Sequence, residues 1–181
     1  MLGIDDAPFE KGQCGPVPIV AVMMEGADLV ESVAIGAFPV DGDGATEFLA
    51  GWISGLRSFT SLQAVILGGI TIAGLGMIDT RSLARRLEVP VVTVTRRDPS
   101  SSQLGDALKA AGLSERLEIV ARAPRAFRLV DGLFLSCAGI EREAAAQVVR
   151  ATLRKSRLPE PLRIAHLVAR ALVTGESRGR V

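Results

Sequence analysis

Tyrosine is missing from this 181-residue chain, and histidine and tryptophan occur once each. Stacking platforms for nucleic-acid bases are therefore scarce. Cysteine occurs only at Cys14 and Cys137, with no metal-type spacing. That argues against a disulfide framework and fits two indifferent thiols in a reducing compartment. No apolar run reaches the ~20 residues of a spanning helix. The most apolar stretch, 62–78, is broken by Gly68, Gly69, Gly74 and Gly76, so it reads as a buried strand and a loop, and no membrane segment is expected. The opening Met1-Leu2-Gly3-Ile4-Asp5 lacks the basic start and long apolar run of a signal peptide, which makes a cytoplasmic location the expectation.

What is present is a globular composition, 48% apolar, in a length that suits one domain over residues 1–181 with a substantial core. There is no internal repeat, linker or low-complexity tract. The net charge of +1 conceals an uneven spread. Residues 1–50 carry nine acids against Lys11, whereas residues 51–140 and 141–181 are net basic by four and five. Such asymmetry suits either a cation site facing a phosphate-binding surface or two ordinary solvated faces.

The pattern along the chain predicts an α/β fold. Short Val- and Ile-rich strands around residues 3–5, 18–24 and 29–40, with the turn signal Gly26-Ala27-Asp28, form a three-strand antiparallel meander. The third strand is expected beside the first. Asp41-Gly42-Asp43-Gly44 breaks the chain before a helix with Phe48, Leu49, Trp52, Ile53 and Leu56 at helical spacing. The apolar runs 62–67 and 90–95 suit strands covered on both faces. Asp79 is a natural cap for a helix over 80–87. Strands alternating with helices imply that the sheet extends in parallel, with helices on both faces. Asp131-Gly132 signals a hairpin between 127–130 and 133–136. Helices are expected over 141–153 and, opened by Pro161, over 162–173, with Ile164, Ala165, Val168 and Leu172 toward the core.

Three features carry candidate chemistry. Gly69 and Gly74 have the spacing of a phosphate loop, but Leu75 and Gly76 stand where Lys and Ser or Thr should be. Gly74-Leu75-Gly76 opens a dinucleotide fingerprint whose third glycine is replaced by Asp79, so a structural loop is the better reading. Asp5 ends the first strand, while Asp41, Asp43 and Glu47 follow the third. Carboxylates brought together that way hold Mg²⁺ or Mn²⁺, whose waters attack phosphodiesters. The alternative makes Asp41 and Asp43 turn formers and Glu47 a helix-start charge. Arg163, His166 and Arg170 share one stripe of the last helix, suited to phosphate or simply to solvent.

The segment from Ser156 through Arg157-Leu158-Pro159-Glu160-Pro161 to His166 resembles the closing motif of endonuclease V. Leu133-Phe134-Leu135-Ser136 is similar to that family's preceding strand, and Leu2 to Phe9 to its first-strand motif. Across nearly its whole length the chain resembles more closely a mainly archaeal relative, domain of unknown function 99. Gly3-Ile4-Asp5-Asp6, Val40 to Thr46, Gly69-Ile70-Thr71 to Asp79 and Gly175 to Arg180 carry that resemblance. It implies a ribonuclease H-like fold and Mg²⁺- or Mn²⁺-dependent cleavage of DNA or RNA, at deaminated or altered bases. Asp5 then matches the first-strand metal ligand, Glu47 the glutamate that starts the first long helix, and His166 the last-helix histidine. Asp41 or Asp43 would complete the metal shell, and Arg163 and Arg170 would touch phosphate. Two departures stand out. Gly68 occupies the place of a third carboxylate, and Phe38-Pro39-Val40-Asp41 replaces the tyrosine-bearing wedge. They motivate an alternative, a nucleic-acid-binding protein that keeps the fold without the chemistry. A third reading is a small-nucleotide enzyme using the glycine loop.

Overall fold

Nine strands and six α-helices make up the structure, a computed structural model that describes residues 1–10, 15–99, 102–130, 132–154 and 156–178. Cys14, Ser100, Ser101, Asp131 of the hairpin signal and Gly179-Arg180 of the C-terminal motif lie outside the described residues. In chain order the elements are β1 (Leu2–Asp6), β2 (Pro16–Glu25), β3 (Leu29–Pro39), α1 (Ala45–Ser54), β4 (Val65–Leu67), β5 (Thr71–Ile72), β6 (Gly76–Met77) and α2 (Thr80–Leu87). They continue with β7 (Val91–Thr95), α3 (Gln103–Ala110), α4 (Leu117–Arg122), β8 (Phe127–Val130), β9 (Leu133–Ala138), α5 (Arg142–Ala151) and α6 (Glu160–Thr174).

Seven strands form one sheet in the order β3-β2-β1-β4-β7-β9-β8. β1, β4 and β7 run parallel, and the pairs β1–β2, β2–β3, β7–β9 and β9–β8 are antiparallel. This is the expected mixed α/β sheet, with two corrections. β2 lies between β1 and β3, so the third strand is not beside the first. The parallel extension stops at β7, because the β8–β9 hairpin returns β9 in the opposite direction.

The short apolar strands alternate between the two faces. Val65 and Leu67 join the core that holds Leu49, Ile53, Leu83 and Leu87 of α1 and α2. Ile66 joins Val92, Val94, Leu135, Val149 and Leu162 on the side of α5 and α6. Burying such strands on both faces is the main stabilising term, ~25 cal/mol for each Å² of apolar surface removed from water.

Local chemistry fixes two of the helices against the sheet. α6 lies directly on β1 at Gly3, where an added Cβ would come within 2.2 Å of the Pro161 carbonyl carbon. Only a residue without a side chain allows that approach. Asp79 caps α2 through its side chain, accepting the Ser82 amide at 2.9 Å, in keeping with its place before the helix.

Candidate active site at the carboxyl ends of the central strands

The parallel strands β1, β4 and β7 end together, and in open α/β sheets that edge is where ligands bind. β1 contributes Asp5 and Asp6, which point to opposite faces because successive strand residues alternate. Asp5 faces α6, where its Oδ2 lies 2.7 Å from His166 Nδ1. Asp6 faces the glycine-rich hairpin and its Oδ2 accepts the Ala73 amide at 2.7 Å.

Burial, followed by the neighbouring Asp5 charge, pushes the Asp6 carboxyl up to about 6. Asp5 is the acid of the pair that faces α6 and His166. His166 is raised above the ordinary imidazole value, chiefly by its hydrogen bond to Asp5, against burial and the charges of Arg170 and Arg96. The Asp5 carboxylate fixes Nδ1 as the protonated nitrogen, a tautomer inferred from this contact. Nε2 is then the ring nitrogen left for a substrate.

Beside this pair is a cavity of about 420 Å³, with apolar walls from Val94, Leu158 and Leu162 and with Arg96 and Arg97 at its rim. Gly68 also lines it, and a Cβ there would be 3.9 Å from Asp5 Oδ1. The place expected for a third carboxylate therefore does adjoin Asp5, but it holds no side chain. Arg96 and Arg97 belong to none of the sequence motifs. Their one signal is a pair of bases directly after the apolar strand β7.

The other expected residues lie elsewhere. Glu47, on the first turn of α1, is ion-paired with Arg86 of α2 at 2.9 Å and does not line the cavity. Asp41, with φ 52°, accepts the Leu75 amide at 2.7 Å and so serves the glycine loop. Arg116 Nη1 locks the same loop, donating to the carbonyls of Asp41 at 2.9 Å and Leu75 at 2.8 Å. A Cβ on Gly74 would lie 2.4 Å from Asp41 Oδ1, at a backbone φ of +91°. These glycines serve backbone geometry. Asp43 is exposed in the turn before α1. The separation of Asp5 from Glu47 follows from strand order, since β2 intervenes between β1 and the strand that leads into α1.

The stripe on α6 also divides. Arg163 is committed to the buried Glu160, with Nε 2.9 Å from both carboxylate oxygens and Nη2 2.6 Å from Oε2. A buried carboxylate needs such a partner, which withdraws Arg163 from phosphate. Arg170 is exposed and close enough to His166 to lower its proton affinity. Leu172, expected in the core, is 48% exposed, and Leu162, Ala165 and Ala169 fill the buried face.

The resemblance implies a divalent cation, so the fit of these residues to one matters. Mg²⁺ takes a near-octahedral shell of oxygens, with one or two carboxylates beside waters and substrate phosphates. The cavity offers Asp5 alone, bonded to His166 and sharing the lining with Arg96 and Arg97. Among the described residues no group of three or more His, Cys, Asp or Glu side chains could hold a metal ion. These residues do not fit a cation held by the protein itself. The cationic surround suits an anion.

No helix among the described residues is long and apolar enough to cross a membrane. A UPF0215 protein of Methanothermobacter thermautotrophicus is 36% identical over 99% of this chain and 90% of its own length. One from Thermococcus gammatolerans is 37% identical over 98% and 93%. A crystal structure of a protein of unknown function from Archaeoglobus fulgidus superposes with TM-score 0.87 at 30% identity, covering 96% of this chain and 98% of that one. Endonuclease V of Streptomyces avermitilis gives TM-score 0.61 at 17% identity, over 96% and 81% of the two chains. Endonuclease V of Ciona intestinalis, in complex with a DNA containing an inosine followed by a ribo-adenosine, gives 0.55 at 14%, over 91% and 81%. At such identities the likeness to endonuclease V shows the fold, which is the ribonuclease H-like one expected. The sequence model of the endonuclease dU family matches residues 1–173, and the chain belongs to that family.

Proposed function

We propose that this chain is a nuclease that hydrolyses phosphodiester bonds in nucleic acid, with Asp5 and His166 at the reaction centre. One observation carries the reading: the 2.7 Å contact between Asp5 and His166 at the mouth of a cavity rimmed by arginine. The family's description and the fold shared with endonuclease V support it. The substrate is DNA carrying deoxyuridine or another deaminated base, and the setting is cytoplasmic.

The charged residues in and beside the cavity divide the work. Arg96, Arg97 and Arg170 bind the phosphate and offset the charge that builds on its oxygens as a nucleophile adds. His166 Nε2 takes the proton of an attacking water, while Asp5 holds the ring in place and favours the imidazolium that forms. Asp6 keeps the end of β1 against the glycine loop through Ala73. None of these roles calls for Mg²⁺ or Mn²⁺, which the donor set does not hold.

Cleavage of single- and double-stranded oligonucleotides containing one deoxyuridine or deoxyinosine tests the reading, with Mg²⁺, with Mn²⁺ and with chelator. In the condition that supports cleavage, Asp5→Asn and His166→Ala should each lower the rate at least ~100-fold, the scale of general acid–base catalysis. Cleavage unchanged in both variants removes the proposal. Gly68 favours a second reading, a protein that binds nucleic acid without cutting it. That reading is supported if the well-folded wild type leaves every substrate intact yet binds with an affinity that falls steeply with salt.

A further inference from the structure

The β3 edge of the sheet carries no neighbour among the described residues. Such edges are normally short, bulged, or protected by lysine or proline, because their unpaired amides and carbonyls template association. β3 has one such device, a bulge at Glu31 where its register with β2 shifts, and little other protection. It is eleven residues long, its one charged residue is Glu31, and its proline is the last residue. Of the seven large apolar residues exposed among those described, four are on β3: Leu29, Val30, Val33 and Ile35.

The register explains the exposure. Val33 and Ile35 oppose Val22 and Val20 of β2, which in turn oppose Gly3 and Asp5 of β1. All six residues therefore share the α6 face of the sheet. α6 packs on β1 and β2, so Val20 and Val22 are fully buried, while Val33 and Ile35 remain about half exposed. The opposite face of β3 is covered, with Trp52 and Phe48 of α1 packed against Gly36.

We propose that β3 pairs antiparallel with β3 of a second copy of this chain, about a two-fold axis at Ala34, giving a continuous fourteen-strand sheet. A two-fold axis perpendicular to a sheet keeps each residue on its own face, so opposed residue numbers must sum to an even value. Centring on Ala34 spans all eleven residues, places the Glu31 bulge toward each end, away from the regular centre Ser32 to Gly36, and sets Val33 against Ile35 of the second copy twice, a favourable β-branched pair. It also sets each Glu31 against Ala37 and avoids an acid–acid clash. Eleven residues at ~3.3 Å each span roughly 36 Å, and the pairing buries of the order of 400–500 Å² on each copy, close to 1,000 Å² in total. That is the lower limit for a specific interface, so the dimer is reversible. A second copy supplies the whole length of complementary edge. A partner of another kind would have to bring its own.

Sedimentation equilibrium of the full chain over a wide micromolar range tests this. A monomer–dimer equilibrium is expected, with Ile35→Lys monomeric throughout and Ile35→Thr raising the dissociation constant at least ~10-fold at unchanged thermal stability. In a Cys14→Ser, Cys137→Ser background, mixing Val33→Cys with Ile35→Cys chains should cross-link one variant to the other, which reports the register. A wild type monomeric at every concentration overturns the proposal, and in that case a different protein on β3 becomes the alternative. A dimer undisturbed by Ile35→Lys, or assembly beyond two copies, overturns it as well.

Discussion

Asp5 and Asp6 are neighbours in sequence with different chemistry, because a strand turns them to opposite faces. Asp5 meets the imidazole of His166. Asp6 is half-buried, and desolvation pushes its carboxyl up to about 6. A carboxyl whose folded value lies above its unfolded 3.8 contributes stability that is complete below 3.8 and is lost as pH rises to about 6. Asp6→Asn keeps an oxygen for the Ala73 amide and removes that loss. It should stabilise the protein above pH ~6 by up to about 3 kcal/mol and leave it little changed near pH ~4, as read by urea unfolding at both values. His166 has the same sign, since its value is raised. Its contribution is complete below the unfolded ~6.5 and fades as pH passes the higher folded value. As the chain's only histidine it gives one imidazole signal in an NMR titration. Asp5→Asn should move that midpoint down toward the ordinary range. An unmoved midpoint contradicts the assigned pair. Asp5 and His166 are legible in the sequence through motifs at opposite ends of the chain. Arg96 and Arg97 are not, because two bases after a strand look like any solvated turn until the ends of β1, β4 and β7 are seen together. Glu47 falls outside the expected site because β2, a strand the sequence does show, lies between β1 and β3, whereas the meander pattern sets the third strand beside the first.

At the scale of elements, the site depends on how closely α6 approaches β1. Gly3 permits that approach, and two residues further along the same face of β1 comes Asp5. Gly3→Ala forces the Pro161 backbone outward. It should cost on the order of 1–3 kcal/mol, typical of overpacking, and should weaken the Asp5–His166 contact. The paired readout is a lower thermal midpoint together with a His166 titration shifted toward that of Asp5→Asn. A variant that loses stability while keeping the wild-type titration would separate α6 packing from the site. Most elements can be read from the chain because their signals are local: Asp79 as a cap, Pro161 in the first turn of α6, unbroken apolar runs for β4 and β7. Strand order cannot, since it depends on pairings between distant segments. The meander is legible while its spatial order is not, and β9, which simple alternation places with the parallel strands, runs against β7.

For the molecule as a whole, the acidic first fifty residues and the basic remainder do not meet as a cation pocket facing a phosphate surface. Asp41 stabilises a loop, Glu47 pairs with Arg86, and Asp5 stands among arginines. The molecule thus has the fold of endonuclease V around a centre whose own residues favour an anion. Nucleic-acid binding should accordingly persist in chelator and weaken as salt rises, with a shallower salt slope in Arg96→Ala and Arg97→Ala, each removing about one phosphate contact. Binding that needs a divalent cation contradicts this. If Asp5 and His166 act as one catalytic unit, a double-mutant cycle will reveal it. Single-turnover cleavage of a deoxyuridine-containing oligonucleotide would be measured for wild type, Asp5→Asn, His166→Ala and the double variant. Strong non-additivity is expected, with the double variant hardly slower than the slower single one. Losses that simply multiply, or a His166→Ala enzyme that cuts at the wild-type rate, would contradict it.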